Sequence, residues 1–246
     1  MKPQGRAHRS LTLLILVSST LLISPIAFAD GPGRGLTGSF EVNYLKFIAD
    51  HHYSALRMTE LAAGTDATRD AAISPDEGSS ATPGKQPVQA KAASEELRSM
   101  ARRNNRMQRE EILTALGFLR DWYGISYQPH VRAMNQAQIA LLEHSAAGSA
   151  FDHLFMEVFS RHHFTALEPS ARCQVASDPA HVALHRYCSG IVHGQINDIE
   201  DMREMLCKDF SICDYQPVVG LKGRHSGGEG HQFIDAPSAD AESLND

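Results

Sequence analysis

The chain has 246 residues, a formal net charge of −6, 13 histidines and four cysteines. This length is enough for one sizeable core, or for two small lobes that share a core. The acidic balance and the lack of a dense Lys/Arg stripe in the sequence argue against nucleic acid as a partner.

The beginning of the chain predicts export. An apolar run at 11–26 follows several basic residues, and Ala27-Phe28-Ala29 then forms a small-x-small cleavage signal. These features together indicate a secretory signal peptide at residues 1–29. An uncleaved membrane anchor is the weaker alternative, because the apolar run is short for a span. We therefore expect a periplasmic or secreted protein whose mature form has no membrane segment.

Two helices are predicted in the first half of the mature chain. Ser39 predicts the start of the first helix, which runs to about Ala63. Ser94 predicts the cap of the second helix, which runs to about Tyr123. Between them, residues 64–90 are rich in small and polar residues and prolines, which indicates a flexible insertion. No segment alternates with period two, so we expect no strands.

Three further helices and a tail are predicted in the second half. A connecting helix is expected at 132–147, and the next runs over 149–167 until Pro169 ends it. The last is expected at 179–208, with a proline near its first turn. Residues 218–246 are polar and are expected to be a disordered tail.

All four cysteines lie in the C-terminal half of the chain. An even number of cysteines in an oxidising compartment indicates disulfides. Three pairings are open, and the most local one, Cys173 with Cys188 and Cys207 with Cys213, is favoured. A thiolate metal site is the weaker alternative, because the sequence contains no Cys-x-x-Cys.

The chain contains an internal repeat of a two-helix unit. The segment His51-His52-Tyr53-Ser54-Ala55-Leu56 matches residues 162–167, which begin with His162 and His163, in residue type at six consecutive positions. Downstream, Gln108-x-x-Glu111-Ile112 matches Gln195-x-x-Asp198-Ile199. Because order and type agree in both places, the sequence indicates a duplication.

The two copies define the domain organisation. Each copy closes on Tyr-Gln-Pro, so the first spans 39–129 and the second spans 130–217. One helical hairpin cannot bury its own apolar face, but two can do so as a four-helix bundle. The predicted fold is therefore all-α: a four-helix bundle of two duplicated hairpins, plus an extra connecting helix.

A polar layer is predicted where the helix spacing assigns positions to the core. Its residues are His51, Gln108, Glu111, His162, Gln195 and Asp198. A buried carboxylate is costly unless it is paired, and histidine is the obvious partner. We expect His51 beside Glu111 in one half and His162 beside Asp198 in the other.

The polar layer has two interpretations, a metal site or a structural layer that sets the register of the helices. Imidazole nitrogen suits copper, zinc, nickel and iron, and thioether sulfur adds a preference for Cu(I). Met58 follows His51 by two helical turns on the same face. Met202 lies on the last helix, four residues after Asp198. Methionine and histidine together in an exported chain favour copper.

The motifs resemble a known family. His51-His52-x-x-Ala55-x-x-Met58, then Gln108-x-x-Glu111-Ile112 and an aromatic helix end at Trp122-Tyr123-Gly124, are similar to the domain-of-unknown-function 305 family. The resemblance covers two tandem copies. It implies a ferritin-like four-helix bundle, export and, as in some members, binding of copper or silver through His and Met. The candidate metal ligands are His51, His52, Met58, Glu111, His162, His163, Asp198 and Met202.

The two copies depart from the family pattern in different ways. The family's Met after His-His is Met58 in the first copy, but Pro169 stands there in the second. The family's Met seven residues after the Gln is Met202 in the second copy, but Ala115 stands there in the first. Either the two half-sites complement each other in one bundle, or the layer has become structural.

The sequence therefore predicts a binding protein rather than an enzyme. It lacks the Glu-x-x-His of di-iron bundles and the common hydrolase motifs. We expect an exported protein that sequesters or buffers a transition metal, with copper in first place and silver or zinc as alternatives. The alternative is a metal-free exported module for structure or interaction, with a buried His–carboxylate layer. The oligomeric state stays open.

Overall fold

The computed structural model describes residues 31–65 and 81–218. The predicted signal peptide, the middle of the insertion at 66–80 and the predicted tail from 219 onward lie outside these residues.

Five helices make up the regular structure of the described residues. They are α1 (Leu36–Ala63), α2 (Glu95–Tyr123), α3 (Ala133–His144), α4 (Ser149–Ala176) and α5 (Val182–Phe210). No strand occurs within the described ranges, so the predicted all-α class is confirmed. Among these helices, none combines the length and the apolar character that crossing a membrane requires.

The two predicted helix starts in the first copy turn out differently. Ser94 caps α2 as expected, because its side chain accepts a hydrogen bond from the Leu97 N–H at 3.3 Å. The prediction for Ser39 is wrong: α1 begins earlier, at Leu36, after Gly35. Gly35 has φ 56°, a left-handed conformation that glycine adopts without a steric cost, and it supplies the start that Ser39 does not.

Helix α4 continues past the proline that was expected to end it. Pro169 lies inside the helix, which runs to Ala176. An interior proline costs about 3 kcal/mol because it removes a backbone hydrogen bond. The two turns after it bury Ser170 and Cys173, and Cys173 is disulfide-bonded to Cys188 on α5. This packing and the cross-link offset the cost of the proline.

The four long helices associate in pairs. α1 packs on α2 and α4 packs on α5, while α1 also packs on α4. The short α3 lies against both α1 and α4. Residues 48–62 of α1 are buried on every side, which makes α1 the central helix.

Two large apolar clusters lie on either side of the polar layer, and a small third cluster contains Tyr53, Leu56 and Ile112. One cluster contains Leu45, Ile48, Ala166 and Ile191. The other contains Met58, Phe155, Phe159 and Met202 together with residues of α2 and α3. Along α1 and α5 the first cluster precedes the polar residues, whereas along α2 and α4 it follows them. Because α1 and α5 run opposite to α2 and α4, the polar residues of all four helices lie side by side between the two large clusters.

Both favoured disulfide pairings are confirmed. Cys173 is bonded to Cys188 and Cys207 to Cys213, and no described cysteine is free. The first bridge is buried and joins α4 to α5, whereas Cys213 of the second is exposed. Two disulfides are typical of a protein from an oxidising compartment.

The described part of the predicted insertion is tied to α1. Glu60, which is buried, accepts hydrogen bonds from the Thr82 N–H at 2.5 Å and from the Thr82 hydroxyl. Arg57 donates to the Gln86 carbonyl at 2.9 Å. Residues 81–94 contain no helix, so the second hairpin helix begins where the sequence predicted it.

Candidate functional site

The centre of the polar layer is a stacked pair of histidines, one from each of the two predicted copies. The rings of His51 on α1 and His162 on α4 are 3.8 Å apart between centroids and 5° from parallel. Both residues are nearly fully buried. The contact follows from the packing of α1 on α4, which brings the first histidine of each His-His pair to the crossing of the two helices.

The second histidine of each pair faces a carboxylate. His52 Nε2 lies 2.9 Å from Glu111 Oε2, and His163 Nε2 lies 3.2 Å from Asp198 Oδ2. The expectation that His51 pairs with Glu111 and His162 with Asp198 is therefore wrong by one residue in both copies. The physical reason is the rotation of α1 and α4, which turns the first histidine toward the other copy and the second toward its own hairpin partner.

The two His–carboxylate contacts are not equivalent. His163 makes a hydrogen bond with Asp198, whose side chain is only 7% exposed. The atoms of His52 and Glu111 are as close, but their directions do not satisfy a hydrogen bond, and the Glu111 side chain is 19% exposed. The second copy therefore holds its histidine in place more firmly than the first.

Asn104 on α2 explains much of this difference. Its amide nitrogen donates to Asp198 Oδ1 at 3.1 Å, and its oxygen lies 3.3 Å from His163 Nε2. The predicted polar layer did not include Asn104, although this residue lies one helical turn before Gln108. The position related to it in the second copy is Ile191, which has no polar atom to offer Glu111. The difference between Asn104 and Ile191 at equivalent positions was the sequence signal that could have revealed that the two His–carboxylate contacts differ.

Gln138 on α3 is a second contact that sequence reasoning missed. Its Oε1 lies 3.3 Å from His162 Nδ1. Because an amide oxygen only accepts hydrogen bonds, this contact favours the neutral tautomer with the proton on Nδ1 and the lone pair on Nε2. α3 lies outside the duplicated hairpins, so the repeat gave no reason to include it.

The stacked histidines are held in the neutral form. Burial lowers the pKa of His51 well below its ordinary value, and the neighbouring His162, His52 and His163 lower it further. Burial, with His163 and His52 nearby, lowers the pKa of His162 in the same way. For Asp198, burial acts to raise the pKa, but the hydrogen bonds from His163 and Asn104 outweigh it and the pKa is lowered. The layer thus combines a stacked pair of neutral imidazoles with an ionised carboxylate.

Several buried atoms of the layer have no hydrogen-bond partner among the described residues. They are His51 Nε2, both ring nitrogens of His52, His162 Nε2, His163 Nδ1, Gln108 Oε1, Gln195 Oε1 and Glu111 Oε2. The oxygens can only accept, and a neutral imidazole has one nitrogen with a lone pair. A buried polar atom without a partner costs about 1–3 kcal/mol. The layer therefore contains several buried Lewis bases that have no hydrogen-bond donor.

The two candidate methionines lie in one apolar cluster next to the layer. Met58 and Met202 are both fully buried and belong to the cluster that contains Phe155 and Phe159. Ser160 lies 3.5 Å from the Met202 sulfur. The methionines that the two copies keep at different positions thus come to the same side of the layer.

The candidate ligands do not form a ready-made cage. In the part of the chain that the structure describes, no three His, Cys, Asp or Glu side chains form a group that could hold a metal ion. His51 and His162 are stacked face to face, so their ring nitrogens lie in parallel planes. The donor types fit a soft or borderline transition metal, but the rings as they stand do not converge on one point.

A second buried His–carboxylate group, which we call the Glu41 cluster, lies at the start of α1 and α5. Glu41 is fully buried and accepts hydrogen bonds from the Tyr123 hydroxyl, from the Asp178 N–H at 2.7 Å and from His181 Nδ1 at 2.8 Å. The ring of Trp122 stacks on His181 at 4.7 Å. Each oxygen of this carboxylate has a donor, which is the pattern of a structural network.

Comparison with known proteins supports the family resemblance. Residues 85–206, just under half of the chain, match the model of a family described as a domain of unknown function, DUF305. The matched segment contains α2, α3, α4 and most of α5 but not α1. No curated protein and no solved structure matches the chain.

Proposed function

We propose that the polar layer binds a transition metal ion, with Cu(I) as the first candidate, and that the protein sequesters or buffers that metal outside the cytoplasm. The observation that carries this proposal is the set of buried Lewis-base atoms without partners. A cation bound in the layer would satisfy several of these lone pairs at once.

The chemistry of the donors supports a soft or borderline metal. Metals bind the neutral form of imidazole, and burial keeps His51 and His162 neutral. Imidazole nitrogen and thioether sulfur together favour Cu(I), and Met58 and Met202 border the layer. Silver resembles Cu(I) in this preference, and zinc would rely on the histidines and a carboxylate.

The contact of His163 with Asp198 also supports the proposal. Histidine ligands usually donate their other ring N–H to a carboxylate, which fixes the ring and raises its basicity. His163 donates from Nε2 to Asp198 in this way, and its Nδ1 is the buried atom without a partner. His51, His52, His162 and His163 are the proposed ligands, with the methionines as further candidates.

The proposal requires movement inside the layer. The stacked rings of His51 and His162 would have to rotate before their nitrogens could face one ion. An imidazole ring rotates about its side-chain bonds without disturbing the helix. Binding should therefore leave the helix content unchanged and alter the environment of these two rings.

The exported setting and the non-enzymatic role belong to the same proposal. The predicted signal peptide and the two disulfides support a location in the periplasm or outside the cell. Two duplicated hairpins forming a ferritin-like bundle would place both half-sites around one axis. The absence of the known di-iron and hydrolase motifs from the sequence favours storage or buffering over catalysis.

A metal-free structural layer is the second candidate. Stacked neutral rings at 3.8 Å and the lack of a ready ligand group among the described residues favour it. In this case the layer would set the register of the helices, and the protein would act by binding a partner.

Metal titration of the full mature protein separates the two candidates. We expect Cu(I), kept reduced with ascorbate, and Ag(I) to bind with micromolar or tighter affinity in competition with a chromophoric chelator. The double variant His51→Ala/His162→Ala should lose this binding, whereas His193→Ala, at an exposed position on α5, should keep it. If the natural protein binds neither ion, or the double variant binds as well as the natural protein, the metal proposal is wrong.

A further inference from the structure

We propose that Gln138 on α3 is a positioning residue for the metal site: it fixes the tautomer and orientation of His162 so that Nε2 offers its lone pair to the layer. The inference rests on the proposed function and adds to it a residue from outside the duplicated hairpins. It also gives α3 a role beyond connecting the two copies.

The hydrogen bond determines where the proton of His162 sits. Nδ1 lies 3.3 Å from Gln138 Oε1, and the amide oxygen can only accept. An imidazole binds a metal ion in its neutral form. A neutral imidazole has one N–H, so a proton on Nδ1 leaves Nε2 as the lone-pair nitrogen. Nε2 is the buried atom of this ring that has no partner.

The position of Gln138 is itself fixed at both ends of α3. Near the start of the helix, the buried Asn135 donates to the Ser54 hydroxyl on α1. At its end, the Lys91 ammonium donates to the Leu142 carbonyl at 3.0 Å and to the Ser145 carbonyl at 2.9 Å. α3 also packs on both α1 and α4. A helix anchored in this way can hold a side chain against His162.

The two histidines of the second copy thus present different ring nitrogens. His162 presents Nε2 to the layer because its Nδ1 is hydrogen-bonded to Gln138. His163 presents Nδ1 because its Nε2 is hydrogen-bonded to Asp198. Neighbouring residues on a helix point about 100° apart. Because the two rings use different nitrogens, Nε2 of His162 and Nδ1 of His163 can face the same ion although the two side chains leave the helix in different directions.

The test uses the full mature protein with two matched variants of α3. Gln138→Leu removes the acceptor, and Gln138→Glu keeps it. Gln136→Leu is the control, because Gln136 is exposed on the same helix and its side chain donates to the Val131 carbonyl rather than to a residue of the layer. Two quantities are measured: the tautomer of His162 in the metal-free protein, by ¹H–¹⁵N correlation of the ring, and the affinity for Ag(I).

The expected results separate positioning from a structural role. The natural protein and Gln138→Glu should show His162 with its proton on Nδ1. Gln138→Leu should show a mixture of tautomers and bind Ag(I) about 10-fold more weakly, in the range found when an outer partner of a ligand histidine is removed. Gln136→Leu should change neither quantity.

Two results would overturn the inference. If Gln138→Leu leaves the tautomer unchanged, Gln138 does not position the ring, whatever happens to the affinity. If the tautomer changes but the Ag(I) affinity does not, the contact has no part in metal binding. A natural protein that binds no Ag(I) and no Cu(I) overturns the proposed function instead, and the tautomer measurement then shows whether Gln138 still orients His162.

Discussion

The polar layer and the Glu41 cluster both bury histidines beside carboxylates, but they differ in how their polar atoms are satisfied. Both oxygens of Glu41 accept hydrogen bonds, and aromatic rings cover the group. In the layer, histidine nitrogens and glutamine oxygens on all four long helices have no partner among the described residues. The two regions thus contain similar residues, but the polar atoms of Glu41 have hydrogen-bond partners and many of those in the layer do not.

This difference distinguishes a group of residues that stabilises the fold from one that is suited to bind a ligand such as a metal ion. A buried network whose members are all satisfied stabilises the folded state, and removing one member is costly. Unsatisfied buried acceptors reduce stability, and such atoms persist where they serve another purpose. If the two regions differ in this sense, the free energy of unfolding should change most with acid, less with a substitution of Glu41, and least with a substitution of an amide in the layer.

The largest effect should be the response of the metal-free layer to acid. His51 and His162 have pKa values well below the ordinary value of about 6.5, so the unfolded chain takes up protons at mild acidity that the folded chain does not. The free energy of unfolding therefore has its full value above about pH 7 and falls as the pH drops below 6.5. If both rings stay neutral, the loss between pH 7 and pH 5 is about 4 kcal/mol. Urea unfolding at each pH measures it.

The double variant His51→Gln/His162→Gln is the control for this pH response, because neither replacement titrates. Its free energy of unfolding should vary less between pH 7 and pH 5 than that of the natural protein. Asp198 does not interfere in this window, since its lowered pKa affects stability only at stronger acidity. Equal slopes for the two proteins would show that these rings are not held neutral.

The next largest effect should come from Glu41→Ala. This change leaves the Tyr123 hydroxyl, the Asp178 N–H and the buried His181 without their acceptor. Breaking such a buried pair lowers the free energy of unfolding by about 3 kcal/mol or more. Denaturant unfolding gives the value, and metal stoichiometry of the folded variant should be unchanged.

The exposed Glu200 on α5 provides the control for Glu41. Glu200→Ala should change the free energy of unfolding by less than about 0.5 kcal/mol. A similarly small change for Glu41→Ala would mean that the Glu41 cluster does not stabilise the fold.

The smallest effect should come from an amide of the layer. Gln195 is buried and its Oε1 has no partner, so Gln195→Met should leave the stability of the metal-free protein unchanged or raise it by about 1 kcal/mol. Asn104→Leu should instead lower it by about 1–3 kcal/mol, because Asp198 and His163 lose a partner. Thermal unfolding compares the two variants, and a larger loss for Gln195→Met than for Asn104→Leu would contradict the distinction between satisfied and unsatisfied amides.

Much of the site was predictable because helical spacing determines which residues share a face. Five of the six residues predicted in the polar layer are buried, among them Gln195 and Asp198 on α5. On α2 the prediction holds for Gln108, whereas Glu111 is only partly buried. Local disulfide pairing was also predictable, since short separations along the chain keep two cysteines close.

What was missed depends on contacts between distant elements. The end of α4 was placed too early because a proline rule describes the local backbone, while burial of Cys173 and its bridge to Cys188 act from another helix. Gln138 was missed because α3 approaches His162 only in the folded protein.

The sequence by itself determined that the chain is helical, that two similar segments carry His-His pairs, and that these polar residues fall on core-facing positions. It could not determine which histidine of each pair meets the carboxylate, because adjacent residues point about 100° apart and the rotation of each helix decides between them. The crossing of α1 and α4 stacks His51 on His162 and turns His52 and His163 toward Glu111 and Asp198. That choice belongs to the tertiary structure, since it depends on the packing of whole helices rather than on the spacing of residues within one.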